Sequence, residues 1–154
     1  MTTVTAIRAD GIEYVLAKLL DREVKVLGSQ RNIQAHEETF RGLVTDENEL
    51  VGLIAADLPF AHATGAALAM VPPAKLEELD DITPDEELLE FYVEVANVLS
   101  RIINEAAPQR VRIDPGLDHD VDAMLGVMQR AAGIAVSVEI EGYGSGTVSL
   151  WSSV

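Results

Sequence analysis

Residues 83–106, TPDEELLEFYVEVANVLSRIINEA, hold the reading that decides the fold. Thr83 is a good N-cap, Pro84 suits the first helical position, and Glu86 completes a capping box. Leu88, Tyr92, Val95, Leu99 and Ile102 then advance by four and three residues, which lines them along one helical face. Leu89, Ala96 and Ile103 widen it. The spacing predicts a long amphipathic helix ending near Ala106, just ahead of Pro108. A polar line with the same spacing runs beside the apolar one: Glu90, Glu94, Asn97, Arg101 and Asn104. Positions three and four apart are neighbours on a helix, so Glu94 and Asn97 project side by side about one turn apart. By periodicity alone this line is a solvated face. Asparagine fits such a face less well than glutamate, but only by a few tenths of a kcal/mol.

The flanking segments supply the class. Upstream, Ile7 to Leu20 has the apolar spacing of a helix, and Glu23 to Leu27 alternates as a strand. Glu38 to Val44 and Leu50 to Leu58 read as a hairpin turning across Asp46-Glu47-Asn48, with Pro59 ending its second strand. Ala61 to Val71 is a small-residue helix stopped by Pro72-Pro73, in which Gly65 and the alanines permit a close approach. Ala74 to Asp81 is an acidic, helix-prone connection. Downstream of the long helix, Gln109 to Ile113 is a short strand. Asp118 or Asp120 caps a helix running to Ala132 and closed by Gly133. Ile134 to Ile140 and Thr147 to Trp151 alternate around the glycine-rich turn Gly142 to Gly146, a second hairpin. Consecutive hairpins mean antiparallel pairing, so the class is α+β: a largely antiparallel sheet with helices packed on one face. The 154 residues suit a single domain over 1–154.

Charge narrows the partners. Twenty-six acidic residues against 11 basic ones give a net charge of −15, which repels phosphate backbones and anionic lipid headgroups. Nucleic-acid and membrane-surface roles are disfavoured, although acidic surfaces also serve solubility alone. A hydrophobic fraction of 48% argues for a folded core rather than disorder. No apolar run approaches the roughly 20 residues that span a bilayer, and the start of the chain lacks a signal-peptide pattern. Cysteine is absent, which removes disulfides, thiolate nucleophiles and zinc fingers, and is compatible with a cytoplasmic location.

The stretch from Leu88 to Leu99, LLEFYVEVANVL, resembles the signature helix of the CheC/CheX/FliY phosphatases of bacterial chemotaxis, in which an asparagine follows a glutamate by three residues. The surrounding order of helix, strand, hairpin, small-residue helix and closing hairpin is also similar to that family. One copy of the motif is present, as in CheX. The resemblance implies a CheX-like fold and a partner, the CheY-type response regulator, whose aspartyl phosphate is hydrolysed. It assigns Asn97 to orienting the attacking water and Glu94 to holding the partner through its lysine. The Mg²⁺ of that reaction belongs to the response regulator, so this chain needs no cofactor and no metal site of its own. Homodimers paired through sheet edges are also within what the resemblance implies. Two positions depart from the family pattern. Glu90 stands where aspartate or serine is common, and Arg101 stands one turn beyond Asn97; both are candidates for partner contact. They motivate a second reading, a non-catalytic interaction module that keeps the fold.

Other chemistry-bearing residues have plainer readings. His36, His62 and His119 lack any metal-binding spacing. The acidic run Asp114, Asp118, Asp120 and Asp122 lacks the glycine and terminal glutamate of a calcium loop and suits helix capping instead. Gly142 to Gly146 has no helix behind it to cradle a phosphate and reads as a turn.

Overall fold

Strand β3 (Leu50–Ala56) is buried along its whole length, as a strand covered on both faces must be. The computed structural model describes residues 8–31, 39–45, 50–79, 83–106, 111–113, 126 and 132–152. On one side β3 pairs with β2 (Thr39–Thr45) and on the other with β6 (Gly144–Ser152). Beyond β6 lie β5 (Ala132–Ile140) and then β1 (Val24–Arg31); beyond β2 lies β4 (Val111–Ile113). The order β1-β5-β6-β3-β2-β4 makes one six-stranded sheet, antiparallel at every junction. This is the α+β architecture expected from the two hairpins.

Alternation along the strands selects the core face. Ile134, Val136, Val138 and Ile140 of β5 and Val148 and Leu150 of β6 face a core shared with three helices. Helix α1 (Ala9–Leu20) contributes Ile12, Leu16 and Leu20. Helix α2 (Leu58–Ala69) contributes Phe60, Ala61, Ala63 and Ala67, and α3 (Glu86–Ala106) contributes Tyr92, Val95 and Leu99. Each fully buried Leu, Ile or Val is worth roughly 1.5–3 kcal/mol before chain entropy is subtracted. Leu53 and Trp151, opposite each other across β3 and β6, are buried on the other face. Gly133 lies beside that indole: a Cβ on it would sit 2.6 Å from Trp151 Cδ1.

Several sequence expectations are corrected by this arrangement. Pro59 does not end β3, which stops at Ala56. Asp57 caps α2 instead, its carboxylate accepting from Phe60 N at 2.8 Å, and Pro59 occupies the first turn, where its missing N–H costs nothing. The same oxygen accepts from Thr147 N at 3.1 Å, while Asp57 N donates to Thr147 O at 3.1 Å. One side chain thus joins the end of β3, the start of α2 and β6.

The glycine-rich hairpin is tighter than expected, because Ile140 already pairs with Gly144, leaving residues 141–143 as the loop. Gly142 and Gly144 adopt φ of +84° and +95°, which favours glycine. Gly146 is a packing residue rather than a turn residue: a Cβ there would lie 2.3 Å from Phe60 N. Gly133 lies within β5 rather than closing a helix. Strand β1 runs on to Arg31 through a bulge at Leu27, and the acidic connection is a 3₁₀ helix, Pro73–Glu78. The helix expected from residue 118 to 132 lies outside the described residues except at Gly126, which is helical, and Ala132, which belongs to β5. No helix among the described residues is long and apolar enough to cross a membrane.

Candidate functional site

Helix α3 is fixed at its start by two caps from different parts of the chain. Asp85 Oδ1 accepts from Leu88 N at 3.0 Å, and Asp85 O accepts from Leu89 N at 3.0 Å, so Asp85 is the N-cap. This replaces the expected Thr83 cap and shifts the helix start by two residues. The Asp85 amide, which a capping box would satisfy from within the helix, donates instead to His62 Nε2 at 3.0 Å. His62 is buried in α2 and holds the lone pair of that nitrogen toward α3. It is a supporting residue, and its sequence context gave no signal of that role beyond its place at the start of a small-residue helix.

Close packing along the helix does the rest. Gly65 of α2 lies against the Leu88 carbonyl, so the two backbones approach within a distance no larger residue would allow. Phe60 meets Tyr92 edge-on, with ring centroids 6.2 Å apart and an interplanar angle of 88°. Leu88, Tyr92, Val95, Ala96 and Leu99 are buried, as the apolar spacing predicts. Ser100 is buried too, and its hydroxyl donates to Asn97 O at 2.6 Å, which satisfies it within the helix.

With that face held in the core, the opposite face points outward. Glu90, Glu94, Asn97 and Arg101 are all exposed, in the order the sequence spacing gives. Glu94 and Asn97 are neighbours one turn apart, with Cβ atoms about 5–6 Å from each other by helical geometry. No ion pair joins Arg101 to Glu94, and among the described residues no hydrogen bond engages the side chain of Glu94 or Asn97. Apolar residues flank the polar line. Phe91 is 37% exposed, and Leu89, Val93 and Val98 are half-buried. Phe91 is the one large side chain here that the sequence reading did not single out; its position next to Glu94 on the helix surface was the available signal.

The arrangement offers a carboxylate, an amide and a guanidinium in a row on a rigid base. An amide both donates and accepts without titrating, and so can orient a water; a carboxylate can pair with a lysine or arginine of another molecule. Among the described residues no group of three His, Asp or Glu side chains is placed to hold a metal ion. His36, His119, Asp114, Asp118, Asp120 and Asp122 lie outside the described residues.

No family model matches the sequence, and no curated protein matches it closely enough to count as a relative. Solved structures do match. FliM in a FliM–SpeE complex from H. pylori superposes with a TM-score of 0.59 at 13% identity, covering 94% of this chain and 80% of that one. The chain has the FliM fold. The FliM middle domain from H. pylori gives 0.51 at 13% identity, covering 94% and 84%. FliY from Thermotoga maritima gives 0.50 at 12% identity, covering 95% and 84%. The architecture shared with FliM and FliY is the one that the signature-helix resemblance implied. A shared fold at this identity fixes the architecture, and activity has to be argued from the site.

Proposed function

We propose that this chain docks α3 on a CheY-like response regulator and promotes hydrolysis of its aspartyl phosphate, with Glu94 and Asn97 as the working pair. The observation that carries this reading is the placement of those two side chains. They are exposed neighbours on one face of a helix whose other face is locked in the core. Acyl phosphates are already reactive, so catalysis needs mainly positioning and charge neutralisation. Glu94 pairs with a lysine of the regulator and sets the register. Asn97 hydrogen-bonds a water and holds it in line with the phosphorus. As the water oxygen bonds to phosphorus, the bond to the aspartyl oxygen breaks, releasing inorganic phosphate and the free carboxylate. The divalent cation of the reaction belongs to the regulator and neutralises charge there. Such a partner places the work in the cytoplasm.

The test is the decay of a phosphorylated response regulator from the same organism, with wild-type protein and with Asn97→Ala. Faster decay with wild type, lost in the variant, is the expected result. Identical decay with and without the protein refutes catalysis.

A second reading keeps the surface and drops the chemistry. Glu90 and Arg101 extend the polar line beyond the pair at both ends, which suits a docking strip. A protein of this fold also stands in complex with SpeE in a solved structure, so the fold serves protein–protein contact. On this reading partner binding survives Asn97→Ala, and phosphate lifetime is unchanged throughout.

A further inference from the structure

Arg101 follows Asn97 by four residues, so it stands about 6 Å further along α3 and about 40° round it. Helical side chains lean back toward the N-terminus and cover the turn before their own. The long side chain of Arg101 therefore reaches back over Asn97. It is exposed, and among the described residues no carboxylate pairs with it and no hydrogen bond holds it. Lys75 also reaches α3 but is engaged elsewhere. Its Nζ lies 3.7 Å from Glu87 Oε2, on a residue ten positions before Asn97 and roughly 15 Å away along the axis.

The charges around Asn97 give that free guanidinium a task. Glu87, Glu90 and Glu94 are exposed on the same face, and the chain carries a net charge of −15. A phosphoryl group brought to Asn97 carries close to two negative charges of its own and is repelled by such a face. Pairing Glu94 with a lysine of the partner neutralises Glu94 alone. A guanidinium stays charged at every relevant pH, and its planar fork of N–H donors matches two oxygens of a phosphate.

We propose that Arg101 binds the phosphoryl oxygens of the docked partner and so makes recognition by α3 depend on phosphorylation. This rests on the reading of α3 as the surface that meets a response regulator. The polar line then divides its work. Glu94 takes a cation of the partner whether or not the phosphoryl group is present, Asn97 takes the water, and Arg101 takes the phosphoryl charge. Arg101 makes and breaks no covalent bond; it acts through its charge and its hydrogen bonds.

The experiment titrates the protein against labelled response regulators from the same organism, in Mg²⁺, with and without beryllofluoride, a stable phosphoryl mimic on the acceptor aspartate. Wild type, Arg101→Ala, Arg101→Lys and Glu94→Gln are compared by fluorescence anisotropy. Wild type should bind the beryllofluoride form more tightly than the bare regulator. Arg101→Ala should lose about tenfold or more of that preference, while its affinity for the bare regulator changes by less than about twofold. Arg101→Lys keeps the charge without the fork and should retain part of the preference. Glu94→Gln should weaken both forms alike and leave their ratio as in wild type. Arg101 is exposed and outside the core, so its variants should fold as wild type does. An Arg101→Ala protein that keeps the wild-type ratio, or that weakens both forms equally, overturns the proposal and leaves the docking of α3 standing. So does a wild type that binds both forms equally. A wild type that binds no regulator in either form overturns the docking of α3 and this proposal with it.

Discussion

The Cβ that Gly65 lacks would sit 2.3 Å from the carbonyl oxygen of Leu88, inside the contact distance of carbon and oxygen. That approach sets how deeply α3 is seated on α2, and hence the height at which Glu94 and Asn97 stand above the surface. In an exposed helix, Gly→Ala gains about 0.5–1 kcal/mol. Here the opposing atom is backbone and cannot rotate away. Gly65→Ala should therefore destabilise the protein, by about 1–3 kcal/mol, the usual range for overpacking. Urea unfolding checks the sign, and a gain in stability would mean that the two helices are free to separate.

Asp57 does two jobs with one oxygen, accepting from Phe60 N and Thr147 N. Removing it takes away an N-cap and leaves a strand amide of β6 without its acceptor. Asp57→Ala should cost about 2–3 kcal/mol, the sum of a cap and a part-buried hydrogen bond. Asp57→Asn keeps an acceptor oxygen and should cost less than half of that. Thermal unfolding of the two variants side by side is the measurement. Equal losses in both would assign the effect to charge instead of to the hydrogen bonds.

What the sequence revealed follows the range of the forces involved. The apolar periodicity of α3, the two hairpins and the close approach at Gly65 are local patterns, and each was readable. The order of strands was not, since β1 beside β5 and β3 beside β6 are pairings between distant segments. The α3 cap shows the same division. Thr83 and Asp85 are both good capping residues, and Pro84 between them favours Thr83. The choice goes to Asp85, whose amide finds an acceptor on His62, 23 residues earlier. At Pro59 the signal was present but misread: an aspartate two positions before proline marks a helix start as well as it marks the end of a strand. The polar line of the candidate site was legible because an amphipathic helix can bury only one face. Its chemistry rests on residue types and resemblance, which no periodicity supplies.

His62 tests how far the support of α3 reaches. Without Nε2 the Asp85 amide has no acceptor in the α2 surface, and the first turn of α3 should fray. His62→Ala should lower stability by about 1–3 kcal/mol through the lost bond and the space left behind. Hydrogen exchange should quicken at Leu88 and Leu89, whose amides bond to Asp85, and stay slow around Leu99, three turns on. Uniformly faster exchange along all of α3 would show that the helix is held as one unit and that the His62 contact is only part of global packing.

The functional reading depends on separating loss of chemistry from loss of fold. Glu94 and Asn97 are exposed, and their side chains take no part in the core or in any bond among the described residues. Exposed substitutions away from caps and cores stay within about 0.5 kcal/mol, so Glu94→Gln and Asn97→Ala should unfold at the wild-type denaturant midpoint. Their effects on a phosphorylated regulator should differ in kind. Glu94→Gln loses a charged pair with the partner and should weaken binding while leaving turnover in the saturated complex close to wild type. Asn97→Ala loses the water-directing amide and should lower turnover about 10²-fold or more while the complex still forms. Phosphate release followed over a range of protein concentrations separates the two. If both variants shift only the concentration dependence, α3 is a docking strip and the water is positioned by the partner.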